Sequence, residues 1–183
     1  MLREPVDRQR IERFLVELGS RFRQSGKIYL VGGTTMVYEG FRDQTLDIDL
    51  AFEVQVEAHG EFVHAVRALK DELGMNVEEV SPGDFIPLPA GYEDRSQFIG
   101  RYGQLEVFHF DLYSTALSKI ERGTEEDFAD VLALLRSGRI QADQLQSLFE
   151  VILPTFETTS LRGDPEEFQR KFDALMVMWD QNQ

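Results

Sequence analysis

Two aspartates one residue apart, Asp47 and Asp49, lie in the run Leu46-Asp-Ile-Asp-Leu-Ala-Phe52. In an extended chain, residues i and i+2 point to the same face, about 6.5–7 Å apart. The run therefore presents two carboxylates side by side, with Leu46, Ile48 and Leu50 expected on the opposite face. Two bare carboxylates at that spacing repel. A divalent cation removes the conflict, and Mg²⁺ takes hard oxygen ligands, often one or two carboxylates plus substrate phosphates. Two such ions, about 3.5–4 Å apart, clamp an in-line phosphoryl displacement. Taken alone, the pair reads more readily as two exposed acids on a half-buried strand.

A second group precedes the pair. Ile28 to Val31 is a short apolar run of strand type, followed by Gly32-Gly33-Thr34-Thr35 and a short helix starting at the threonines. A strand that runs through glycines into a helix leaves backbone N–H groups at the helix start, a geometry that binds anions such as the β and γ phosphates of a nucleotide. Glycine lets phosphate approach the backbone. The hydroxyl of Thr34 or Thr35 can donate to a phosphate oxygen, or Thr34 can cap the helix. No Gly-Lys-Ser/Thr follows, so this is not a P-loop. Gly33 precedes Asp47 by fourteen residues, room for a helix and a turn that return the chain beside the glycines. Arg42, just before the acidic strand, is either a phosphate contact or a surface charge in a turn.

Gly32-Gly33-Thr34, Arg42 and Asp47-Ile48-Asp49 together resemble the signature of minimal nucleotidyltransferases of the DNA polymerase β superfamily. The likeness is strongest to bacterial domains related to the abortive-infection toxin AbiEii. It spans about residues 28–135 and includes a later helical block, in which Lys119, Arg122, Asp127 and Asp130 stand in comparable order. The resemblance implies a third carboxylate from a later strand. Glu106 is the candidate, a Glu where Asp is usual, with Asp111 as the alternative. It also implies that Lys119 contacts the triphosphate, with Arg122 on the same helix face. Without the resemblance, Lys119 and Arg122 are cations favoured at a helix C-terminus. Asp127 and Asp130 would then pair with them or serve the next helix dipole, and Asp111 would be a helix cap.

The elements that must position these groups follow from periodicity. Ile11, Phe14, Leu15, Leu18 and Phe22 recur at helical spacing and predict a helix over 6–25. Strands are expected at 28–31, 46–52 and 76–80, a helix at 57–73, and a hairpin of 97–102 with 104–110 about Gly103. Residues 81–95, with Pro82, Pro87 and Pro89, read as a loop. Helices are expected at 113–122, 124–136, 141–153 and 165–180. In the last, Phe168, Phe172, Met176, Met178 and Trp179 read as packing residues, for the core or for a partner. The expected fold is α+β: a nucleotidyltransferase-like mixed sheet flanked by helices in residues 1–112, and a helical region in 113–183 packed on it.

Composition narrows the class. The chain has 183 residues, no cysteine and a net charge of −14, which excludes disulfides and thiolate metal sites and repels phosphate backbones at long range. Residues 1–27 run the other way, with seven basic side chains (Arg3, Arg8, Arg10, Arg13, Arg21, Arg23, Lys27) against four acids. They read as a basic patch or as a solvated helix face. No apolar stretch is long enough for a bilayer and no signal peptide is visible, so a cytoplasmic protein without membrane contact is expected. His59, His64 and His109 lack metal-ligand spacing and read as structural.

The expected activity is Mg²⁺-dependent transfer of a nucleoside monophosphate from an NTP to a hydroxyl on a protein, tRNA or small molecule, with a toxin role implied for some relatives. Asp47, Asp49 and Glu106 would hold two ions. Gly32, Gly33, Thr34, Thr35, Arg42, Lys119 and Arg122 would hold the nucleotide. An antitoxin or a second copy of the chain would be the protein partner. The rival expectation is a degenerate module that binds a nucleotide or a partner protein without turnover.

Overall fold

A computed structural model describes residues 4–159 and 163–181; Arg3 of the basic segment lies outside them. The fold is α+β, a mixed five-stranded sheet with eight α-helices among the described residues. Contacts divide the chain into two compact units, residues 1–81 with 96–110, and residues 82–95 with 111–183.

The first unit contains α1 (Arg8–Arg21), β1 (Gly26–Leu30), α2 (Gly32–Tyr38), β2 (Asp47–Val54), α3 (His59–Leu73), β3 (Asn76–Glu79), β4 (Gln97–Tyr102) and β5 (Leu105–His109). The strand order is β3-β2-β1-β5-β4. β1 lies antiparallel to β2 and parallel to β5, and β3 is parallel to β2. One face is apolar. Ile28, Leu30, Ile48, Leu50, Leu105 and Val107 belong to a core shared with Phe14, Leu15 and Leu18 of α1 and Phe62 and Leu69 of α3. This pattern follows from alternation in the strands and helical spacing in α1 and α3. Leu46 departs from expectation: it precedes β2 and is 70% exposed.

α1 begins one residue after Asp7, whose side chain accepts from the Arg10 N–H. The chain before it is extended, with Val6 bridging to Thr45, so the helix starts later than periodicity suggests. α1 packs tightly on the β4–β5 turn. A Cβ on Gly19 would stand 2.4 Å from the Tyr102 carbonyl oxygen, and one on Gly103, whose φ is +61°, would stand 2.2 Å from the Gly19 oxygen. Backbone cannot yield as a flexible side chain can. Gly19→Ala is therefore expected to destabilise the protein by about 2–3 kcal/mol, read as a lower urea midpoint; an unchanged midpoint would mean that α1 does not dock there.

The second unit contains α4 (Tyr92–Arg95), α5 (Leu112–Arg122), α6 (Glu125–Arg136), α7 (Ala142–Thr159) and α8 (Pro165–Asp180). The segment expected to be plain loop holds a short 3-10 turn at Pro82–Asp84 and α4, and groups with this unit. α7 was expected to end before Pro154 but runs through it. Proline denies the carbonyl four residues back its donor, yet Phe156, fully buried, packs on Phe168 of α8 with ring centroids 5.0 Å apart and offsets that loss. Phe149 stacks on Phe172 at 4.0 Å. Val177 and Met178, by contrast, are exposed. Among the described residues no helix is long and apolar enough to cross a membrane.

Candidate functional site at the end of the central strands

β1 leads directly into α2. The helix starts at Gly32, two residues before the expected threonine, and Val31 precedes it without any side-chain cap. The first N–H groups of a helix have no intrahelical acceptor, so Gly32 and Gly33 bring such donors to this turn. Gly32 has φ +55°, a conformation that side chains resist.

The turn and the aspartates are adjacent. The Val31 N–H donates to the Asp49 carbonyl at 3.1 Å, which extends the β1–β2 ladder. A Cβ on Gly32 would lie 3.1 Å from Asp49 Oδ2. The Asp49 N–H donates to Thr34 Oγ1 at 2.7 Å. Asp47 and Asp49 are half-buried, on the sheet face opposite Ile48 and Leu50. Arg42 also reaches the turn, with Nη1 4.0 Å from where a Gly33 Cβ would sit. The structure thus brings Gly32, Gly33, Arg42, Asp47 and Asp49 together.

Other expectations need correction. Thr34 and Thr35 are fully buried. The Thr34 hydroxyl oxygen serves Asp49, while Thr35 Oγ1 donates to the Leu30 carbonyl at 2.8 Å and lies 3.2 Å from His109 Nδ1. Both hydroxyls thus hold the turn from inside instead of facing a phosphate. His109, buried, lies 2.7 Å from Glu39 Oε1 through Nε2 and ties α2 to β5, the structural role expected of it.

Glu106 is out of reach of the pair. It stands opposite Lys27 on β1, whereas Asp49 lies level with Val31. Four residues of strand separate those levels, about 13 Å. Glu106 pairs with Arg101 and lines a polar groove of about 540 Å³ with Lys27 and Glu53, at the other end of the strands. Nearer the level of the pair, Phe108 of β5 and Phe110 just after it pack on Tyr29 at 5.5 and 5.7 Å. The alternative, Asp111, is fully buried as the cap of α5, accepting from the Tyr113 and Ser114 N–H groups and pairing with Arg95 at 2.9 Å.

Lys119 is likewise engaged elsewhere. In the helical unit it is 2% exposed, with Nζ 2.7 Å from Asp130 Oδ2 and 3.3 Å from Asp127 Oδ1. Arg122 pairs with Asp127 as well. Burial pushes the Asp127 carboxyl up, but hydrogen bonds from Arg122 and Thr124 and the Lys119 charge outweigh it and hold the group below its ordinary value. The pairing of these four residues, one of the two readings of the block, is the arrangement found; the triphosphate contact expected of Lys119 finds its ammonium already held by two carboxylates.

One residue in contact with the acid pair was not singled out by its sequence pattern. Asn76, 2% exposed, donates from Nδ2 to Asp47 Oδ1 at 2.8 Å and to Glu78 Oε1 at 2.6 Å. Its signal was present: Asn76-Val77-Glu78 repeats the polar-apolar-polar pattern of Asp47-Ile48-Asp49 on the neighbouring strand.

The donor set suits a hard divalent cation. Both acids offer oxygen on one face, and the absent Cβ of Gly32 leaves space against Asp49 Oδ2. Among the described residues, however, no group of three His, Cys, Asp or Glu converges as a ready-made metal site. Remaining ligands would have to come from substrate phosphate and water.

A family model described as a nucleotidyltransferase of unknown function, DUF6036, matches residues 10–174. No curated protein and no solved structure is significantly similar to the chain.

Proposed function

The chain belongs to the DUF6036 family of nucleotidyltransferases, and on that premise we propose that it transfers a nucleoside monophosphate from an NTP to an acceptor hydroxyl at the Gly32–Asp49 site. The observation that carries this reading is the contact between the glycine turn and the acid pair, in which Asp49 Oδ2 abuts the place of a Gly32 Cβ. The acceptor oxygen bonds to the α-phosphorus as the bond from that phosphorus to the bridging oxygen breaks. Pyrophosphate leaves with the electron pair, and the acceptor proton passes to solvent. Asp47 and Asp49 would hold Mg²⁺, which neutralises phosphate charge when bound. The Gly32 and Gly33 N–H groups and Arg42 would orient the β and γ phosphates. We place the chain near the AbiEii-like branch of the polymerase β superfamily, as its first motif suggests.

The acceptor class follows from charge. The net charge of −14 opposes bulk nucleic acid, and much of the basic N-terminal segment is paired. Arg8 meets Glu12, Arg10 meets Glu4, and Arg21 meets Glu17 and Glu72. A protein or small-molecule hydroxyl therefore fits better than tRNA, and a toxin acting on a cytoplasmic protein is consistent with that chemistry.

A second reading has its own support. With Glu106 four residues of strand away from the level of Asp49, β5 brings no third acid to the pair, as in a module that binds nucleotide without turnover. Calorimetric titration with NTP and Mg²⁺, followed by a pyrophosphate-release assay over protein and small-molecule acceptors, separates the two. Release that requires both Mg²⁺ and acceptor is the expected result. Tight binding without release favours the module, and no nucleotide binding overturns both.

A further inference from the structure

β3 lies parallel to β2 with Asp47 opposite Asn76 and Asp49 opposite Glu78. Residues directly opposite one another share a sheet face, so the Asn76 and Glu78 positions flank the acid pair. A primary amide has two N–H donors. Those of Asn76 reach Asp47 Oδ1 and Glu78 Oε1, at 2.8 and 2.6 Å. The amide thus stands as a neutral donor between two anions, its orientation fixed from both sides. The other Asp47 carboxylate oxygen, Oδ2, has no partner among the described residues.

From this geometry we infer that Asn76 and Glu78 are positioning residues that hold Asp47 as a one-oxygen ligand, and so favour a small octahedral cation over Ca²⁺. The inference rests on the nucleotidyltransferase reading of the site. Mg²⁺ and Mn²⁺ suit six-fold geometry with one oxygen from each carboxylate, whereas Ca²⁺ takes six to eight oxygens and readily accepts both from one carboxylate. A cation that takes both Asp47 oxygens competes with the Asn76 N–H for Oδ1, and displacing that buried N–H would leave it without an acceptor. Glu78 acts through Asn76: by occupying the second N–H it keeps the amide from turning away from Asp47. Partners of this kind orient metal ligands in many sites, and their loss commonly costs about 10–100-fold in metal affinity.

The test uses the full chain with a non-hydrolysable NTP. Mn²⁺ binding is followed by electron paramagnetic resonance, and Mn²⁺ and Ca²⁺ binding by calorimetry. Asn76→Ala is expected to weaken Mn²⁺ by about tenfold and Ca²⁺ far less, so that the preference for Mn²⁺ collapses. Glu78→Ala, at an exposed position, removes the acceptor of the second Asn76 N–H and should shift the preference the same way by a smaller factor. A role confined to folding would weaken both ions together. Wild-type preference retained in Glu78→Ala and in folded Asn76→Ala overturns the inference while leaving the nucleotidyltransferase reading in place. Failure of the wild-type chain to bind Mn²⁺ with nucleotide overturns the reading itself, and the inference with it.

Discussion

Asp49→Asn is expected to lower Mg²⁺-dependent nucleotidyl transfer by about 10³-fold, close to 4 kcal/mol of lost transition-state stabilisation, with almost no change in melting temperature. The two halves of this result have separate causes. Asn keeps the size of Asp and leaves intact the bond from the residue 49 N–H to Thr34 Oγ1, since that donor is backbone. The half-buried side chain can also turn an amide toward solvent without disturbing Ile48 or Leu50 behind it. Stability then stays within about 1 kcal/mol, as for most substitutions outside the core, and losing one of two like charges relieves repulsion with Asp47. The activity loss arises because the amide carries no net charge and ligates a hard cation poorly. Pyrophosphate release at saturating Mg²⁺, paired with a thermal melt, checks both halves. Undiminished release would show that the acid pair is not the reacting centre.

Lys119→Met is expected to do the reverse, costing about 3–5 kcal/mol of stability before any effect on chemistry is reached. The ammonium is buried between Asp127 and Asp130, and its removal strips counter-charge from two carboxylates that are themselves 1% and 4% exposed. Arg122 still reaches Asp127 and keeps part of that pairing. The pH dependence has a definite sign. The folded Asp127 carboxyl sits below its ordinary value. Its pairing therefore stabilises the wild-type protein above the usual carboxylate range and is lost as the pH falls through that lowered value. In Lys119→Met the ammonium no longer helps to hold the Asp127 carboxyl down, so less of this stabilisation remains to be lost and the gap between variant and wild type should narrow as the pH drops toward about 4. Urea unfolding at neutral pH and near pH 4 measures it. A variant that folds as well as wild type but no longer binds NTP would restore the triphosphate role to Lys119.

These opposite outcomes reflect what could be read from the chain before its structure. The acid pair was legible because its geometry is local. Period-two alternation in Leu46-Asp-Ile-Asp-Leu50 sets both carboxylates on one face whatever the rest of the protein does. The glycine turn was legible for a similar reason, since two glycines after an apolar strand allow few backbone paths. Element order, helix faces and the placement of α5, α6 and α8 rest on the same short-range periodicity.

What only the tertiary structure decided was register and burial. Glu106 and Asp49 lie on one face of one sheet, as a third carboxylate requires, but the pairing of Lys27 with Glu106 offsets them by about 13 Å along the strands. Register comes from matching whole apolar faces and from turns distant in sequence, and no window around Glu106 contains that information. The same holds for Asn76, which is an unremarkable strand-edge residue until parallel pairing lays β3 against β2 and brings its amide to Asp47. For Lys119, helical spacing gave its face but not what that face meets. Buried against Asp127 and Asp130, the cation is held by partners on the following helix, because a charge taken out of water must find its counter-charge inside the fold.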